Sequence, residues 1–554
     1  SAAGSLNYVA AIRNSDAYST TPASGIIFQN KYNSGGAYAD AGGIEVVKEN
    51  ATDGEYGFGL GLHTRANGAS ITEKLHITGE GLVMINGSAS SYDTTPPQAG
   101  LSLYYETDSG AATIGTYSGG GATRLGFSTN TGGGANAERL RIEGAGSVWT
   151  PTVSGASNNL RLGYLAGEDI ASGTHYNTLI GDSAGKEINA GDGNTAVGYQ
   201  AGDALTSGGY NTAIGHNAMS ANQTGASAVA VGNQALATAT IGNIVAVGDG
   251  AGQYHQTGVN FTALGFRALQ NSTTGAGNTA VGSYTMDATN TGGYNTAVGA
   301  NALGANTTGS LNVAVGNDCL LLSTESSSNT AVGDAASRSN TTGTTNVAIG
   351  KSALYANQTG NYNTVVGAYA LDAANPSSTT TTMMNVAIGA YSGSALTTGY
   401  DNTFVGAESA QAGTITGYYN TIIGKTAGYY LSTGNNNTVM GKLAGYTNAT
   451  GSSNTYIGTN SAYTAEAGGN NVAIGESAAY FMTTGHNNVI IGNSAGVGSS
   501  SQRVTTAGHC IIIGDTAYAG SQTADYQVVI GTSGTVGKGA NTAFLNANSG
   551  ASYQ

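Results

Sequence analysis

The stretch NTAVGYQAGDALTSGGYNTAIGHNAM, residues 194–219, writes one phrase twice: Asn194-Thr-Ala-Val-Gly198 and, 17 residues on, Asn211-Thr-Ala-Ile-Gly215. Working outward from it, an aliphatic–Gly pair recurs at glycines 163, 181, 198, 215, 232, 248, 265, 282, 299, 316, 333, 350, 367, 389, 406, 424, 441, 458, 475, 492, 514 and 531. The step is 17 nearly throughout, with a few of 16 or 18 and two of 22, giving 22 registers over more than 360 residues. Chance does not hold such a period, so the chain is a repeat protein.

Each column of the repeat has a physical reading. The residue before the Gly is Val, Ile or Leu, with Met440 the one exception, and two residues further back stands Thr or Val in nearly every register. These two positions share one face of a strand and the residue between them, Ala in most registers, faces the other way. The invariant aliphatic residue reads as core and its Thr/Val companion as half-buried beside it. Asn stands four residues before the Gly in 17 of the 22 registers, and this reads as a hydrogen-bonded ladder. A second glycine (Gly208, Gly225, Gly275, Gly292, Gly309) marks a corner expected to need φ > 0. Ala184, Ala201, Ala218 and Ala235, three residues after the first Gly, fit between closely packed walls.

A 17-residue unit with one strand is too short to fold alone, but stacked units bury a continuous stripe. Residues 156–535 therefore read as a parallel β-solenoid, one coil per repeat, ~100 Å long at about 4.8 Å per coil. Glycine and β-branched residues at this density oppose helix, so the expected fold class is all-β. Residues 1–155 lack the ruling and carry their own duplication: TEKLHITGEGLV (72–83) matches AERLRIEGAGSV (137–148), and LGLHT (60–64) matches LGFST (125–129), both at an offset of 65. They read as two antiparallel β modules, 1–90 and 91–155. Residues 536–554 drop the repeat and turn polar.

Composition limits the function classes. A net charge of −14, with 9% charged residues and no Lys/Arg run, argues against a nucleic-acid partner. No apolar run of about 18 residues is present, so membrane insertion is not expected. Nor does SAAGSLNYVAA at the start read as a signal peptide. Cys319 and Cys510 stand in columns otherwise held by Ala and Asn and read as small, reduced, inert substitutes.

The motifs NVAVG (312–316) and NVAIG (346–350, 385–389, 471–475) resemble the repeats in YadA-like heads of trimeric autotransporter adhesins. The longer pattern in NTAVGANALGANTTGSLN (295–312) and NVAIGKSALYANQTGNYNT (346–364) resembles bacteriophage tail-fibre repeats, notably those of cyanophages. The resemblance implies a homotrimeric virion tail fibre whose partners are other tail proteins and a host-surface glycan or protein. It also implies that GTVGKGANTAFLNANSGASYQ (534–554) precedes a self-cleaving chaperone. A bacterial surface adhesin or extracellular filament subunit is the alternative, and a polysaccharide depolymerase a more distant one.

Catalytic signals are explained by the repeat. The GxSxG matches at Ser183 and Ser494 occupy a column held elsewhere by Gln200, Asn217 and Gln234. The seven histidines are scattered and read as turn or surface positions, and an acidic residue follows the ruling Gly in only five registers (Asp182, Asp249, Asp334, Glu476, Asp515). No enzyme, metal or cofactor is expected from this pattern. Alternation of Thr with Val argues against an ice-binding face. Candidate receptor contacts lie where the ruling breaks, in the two five-residue insertions (Pro376, Ser377 and Ser378; Ser500, Gln502 and Arg503), and on the tyrosines before the ladder Asn, Tyr176, Tyr210, Tyr294 and Tyr362.

Overall fold

The computed structural model describes residues 158–289, 291–376, 382–531 and 534–546, the strand Ser552–Tyr553 and, within the first 149 residues, eleven strands. Every described element is a strand, and the chain divides into two compact units close to residue 155.

In the first unit, eight strands from Val9–Asn14 to Ala111–Thr116 form one sheet in chain order, and Arg124–Thr129, Ala137–Glu143 and Val148–Trp149 form a second. The sequence duplication is a duplication of pairing. Leu60 faces Ile77 as Leu125 faces Ile142, and Ile77 faces Val83 as Ile142 faces Val148. Even the bulge is copied, for the register slips past Lys74 in one copy and past Arg139 in the other. The sheets do not divide at residue 90, however. Val83–Ile85 pairs onward with Leu101–Glu106, so the first sheet runs through that point and the break falls between Thr116 and Arg124.

In the second unit the strands from Thr178–Ile180 to Ala543–Asn546 pair in parallel, each with the next and residue for residue: Thr195 with Thr212, Ala196 with Ala213, Val197 with Ile214. The ladder continues one rung past Gly531, where Val529 faces Phe544.

The strand faces are the reverse of the sequence expectation. The middle residue points inward and is fully buried in rung after rung (Ala196, Ala230, Ala280, Ala348, Phe404, Tyr456), while the Thr/Val and aliphatic residues flanking it lie outward. Ile214, Ile349 and Ile388 are 38%, 39% and 42% exposed. A period-2 pattern fixes which residues share a face but not which face is inside when both are apolar. The turn beyond the strand decides it, because it supplies the bulky filling.

In most coils that filling comes in one of two forms. Gly202 is followed three residues later by buried Leu205, whereas Leu303 is followed by buried Asn306 and Leu269 by buried Ser272. A β-carbon on Gly202 would lie 2.8 Å from Cδ1 of Leu205, so the two large side chains exclude each other within one coil. The first position is left-handed in either form, with φ +57° at Gly202 and 52° at Leu303. Burial of the leucine offsets that backbone strain.

The asparagine ladder is present as expected. Asn177, Asn194 and Asn211 are buried, and each Oδ1 accepts the main-chain N–H of the next, at 2.8 Å for Asn194 and 3.0 Å for Asn211. It lapses at Ala228, Ile244 and Phe261 and resumes at Asn278. The two glycine columns differ in cause. Gly299 has φ +135°, and a β-carbon there would overlap the carbonyl oxygen of Gly316. The second column does not take φ > 0 at Gly208, Gly225, Gly275, Gly292 or Gly309. Its glycine is needed because the neighbouring coil's backbone lies against it, Gly225 against Gly208.

Candidate contact surfaces

The four candidate tyrosines lie on an exposed corner, but the structure does not bring them together. Tyr176, Tyr210, Tyr294 and Tyr362 are 67%, 73%, 68% and 51% exposed. All four are left-handed, with φ between 58° and 62°. Where the coil before has Gly in the same place, the ring lies over it: β-carbons on Gly193 and Gly277 would sit 3.0 Å and 2.7 Å from Cδ1 of Tyr210 and Tyr294. These rings shield a turn on one side and face solvent on the other.

Of the insertion candidates, Ser377 and Ser378 lie outside the described residues and Pro376 is half-buried. The second insertion folds into a compact turn. Ser499 Oγ donates to Gln502 Oε1 at 2.9 Å, and the main-chain N–H groups of Gln502 and Arg503 donate to the Ser499 carbonyl. Ser500 is exposed at its tip, whereas the Arg503 guanidinium lies 4.6 Å over the Phe481 ring.

The Ser183 hydroxyl donates to its neighbour Asp182 at 2.8 Å, and Ser183 and Ser494 are both left-handed turn residues like Gln200. Among the described residues, no group of three His, Cys, Asp or Glu side chains is placed to hold a metal ion. One histidine departs from the turn or surface positions expected and lies in the interior. His255 is buried against Phe261, with Nδ1 3.1 Å from Ser272 Oγ and Nε2 against the Gly258 carbonyl. It occupies the interior place held by Leu205 in its own coil.

The most extensive aromatic surface was missed in the sequence. Tyr429, Tyr446, Tyr463 and Tyr480 follow one another at 17 residues and stack coil on coil, with centroids 5.2, 4.9 and 4.9 Å apart and planes within 15°. Tyr430 meets Tyr429 and Tyr446 edge-on and is 44% exposed, and Phe481 closes the row edge-on to Tyr480. Desolvation among these rings raises the Tyr446 phenol above its ordinary value, with Tyr430 adding to the shift. Shorter stacks occur at Tyr369–Tyr391 and Tyr400–Tyr418, with Tyr419 edge-on to the second. The coil rise imposes this near-parallel spacing, which covers the inner ring faces and presents edges and hydroxyls outward. The signal was in the sequence as Tyr at the repeat interval, in a column other than the one before the ladder Asn.

No protein-family model matches the chain, and comparison with curated proteins and with solved structures gives no match either.

Proposed function

We propose that the chain is a structural fibre protein of the phage tail-fibre kind, in which three chains form a rod that holds repeated weak contacts against a host cell surface. The observation that supports this most directly is the continuous parallel ladder from Thr178–Ile180 to Ala543–Asn546, in which each coil bonds only to its neighbours. A solenoid of this kind sets distance and stiffness. Its tyrosine rows, at Tyr400–Tyr419 and Tyr429–Tyr480, supply ring edges and hydroxyls suited to neutral sugars. Repetition along a rod and across three chains raises avidity without any single strong site.

The test is a glycan array read with the full chain, alongside a Tyr419→Ala/Tyr430→Ala variant. Specific binding that weakens ~10-fold or more in the variant, as loss of repeated contacts requires, supports the reading. Absence of glycan binding, or binding that the variant retains in full, removes the tyrosine rows from it.

A further inference from the structure

We infer that the outward face of the solenoid sheet is the surface through which copies of this chain pack on one another. The face has two columns, the Thr/Val that opens each strand and the aliphatic residue that closes it. From Thr178 to Ile530 neither column contains a charged residue. Its members are neither buried nor scattered: Val298, Val313, Ile349, Ile388, Ile511 and Ile530 are between 37% and 42% exposed. The inward column of the same strands is mostly alanine. From Ala196 to Ala348, where every inward residue is alanine, a lone rod would thus bury its smaller side chains and offer water its larger, branched ones, the reverse of what the hydrophobic effect favours. Covering the outward face removes the contradiction.

Area decides whether the face is large enough. Three residues of strand span ~10 Å and rungs rise ~4.8 Å, so the 21 rungs from Thr178 to Ile530 present about 1,000 Å². A standard stable interface needs about 800 Å² from each partner. Such a stripe is far larger than scattered surface apolar residues explain.

The geometry also selects the occupant. Only a partner with the same rung spacing and the same length covers the stripe from end to end, and another copy of this chain has both. Identical faces meet in closed symmetric assemblies. β-branched side chains fixed at χ1 lose little freedom on packing. The charge of −14 is carried elsewhere, so self-repulsion stays off the contact. The inference gives the fibre reading its interface, and it is separable from the glycan contacts, which lie on the corners.

Native mass spectrometry of the full chain is expected to show two or three copies; a monomer overturns both this inference and the three-chain assembly. A Val298→Asp/Val315→Asp/Val332→Asp variant puts like charges on three successive rungs and is expected to fall to monomer with its circular dichroism unchanged. A variant that keeps the assembly overturns the inference. Should this variant not fold, thiol labelling of single-site variants decides, since Cys319 and Cys510 are fully buried. Maleimide is expected to label Val298→Cys ~10-fold more slowly than the exposed control Thr308→Cys, because reaction at a covered face awaits opening. Equal rates in a protein that is still oligomeric would overturn this face while leaving the fibre reading intact.

Discussion

The main-chain N–H of Asn312 donates to Oδ1 of Asn295 at 3.0 Å, and the Asn312 side-chain amide reaches the same oxygen at 3.1 Å while donating to the Ser326 carbonyl at 2.8 Å. One buried side chain therefore ties its own coil to the coils on both sides. Asn312→Ala is expected to cost about 1–3 kcal/mol, because the Ser326 carbonyl loses its donor and the Asn329 main-chain N–H loses its acceptor, Asn312 Oδ1. The bond donated by the main-chain N–H of residue 312 itself survives the change, as it does at Ala228, whose N–H donates to Asn211 Oδ1 at 2.9 Å. Asn312→Asp turns a donor into an acceptor facing two acceptors and costs more. Thermal unfolding at neutral pH should rank the native chain above Ala and Ala above Asp; the opposite order of the two variants would contradict the ladder.

The glycine columns separate two kinds of constraint. Gly208→Ala meets only the overlap with the Gly225 backbone, whereas Gly299→Ala meets an equivalent overlap at φ +135°. Both should destabilise, and Gly299→Ala by ~1–2 kcal/mol more, the cost of a positive φ in an L-residue. Denaturant midpoints of the two variants give the comparison.

Exchange of core volume within a coil tests the two filling forms. Leu205→Asn empties the interior and should cost ~2–5 kcal/mol, and Gly202→Leu alone overfills it. The pair Gly202→Leu/Leu205→Asn reproduces the coil of Leu303 and Asn306, and should recover a large part of the summed loss. Additive losses would show that the two positions do not share one space.

Burial pulls the His255 imidazole below its ordinary value, against the Gly258 carbonyl, whose hydrogen bond raises it. A histidine in the unfolded chain titrates near ~6.5. Above that pH both states are neutral and the group contributes no pH dependence. Below it the unfolded chain takes up a proton that the folded chain refuses, so stability falls until the pH passes the folded value. His255→Leu, the residue type found at Leu205, should show a smaller loss of melting temperature between pH 7 and pH 5 than the native chain. Parallel profiles would place the acid dependence in other groups.

Much of this was legible in the residues. The period, the asparagine ladder, the exposed tyrosine corner and the 65-residue duplication could all be read because each is a matter of spacing. The strand faces could not be read, since Thr195, Ala196 and Val197 are all compatible with a core, and the choice is made by Leu205 on the far side of the coil. The necessity of Gly208 was legible but its cause was not, because a close approach between coils is a tertiary fact. His255 looked like a surface residue for want of its column, which only the alternation of Gly252 with Leu269 reveals.

At the first long turn the chain takes 22 residues in place of 17, yet Asn385 donates its main-chain N–H to Oδ1 of Asn363 at 3.2 Å, as though nothing had been added. At the second, Cys510 does the same to Asn488 at 2.9 Å. Each coil is thus a socket with fixed posts, and what hangs between the posts is free to change without reaching the coils above or below. Such a chain can lengthen or exchange one turn at a time, so that variation of a loop and preservation of the scaffold proceed as separate problems.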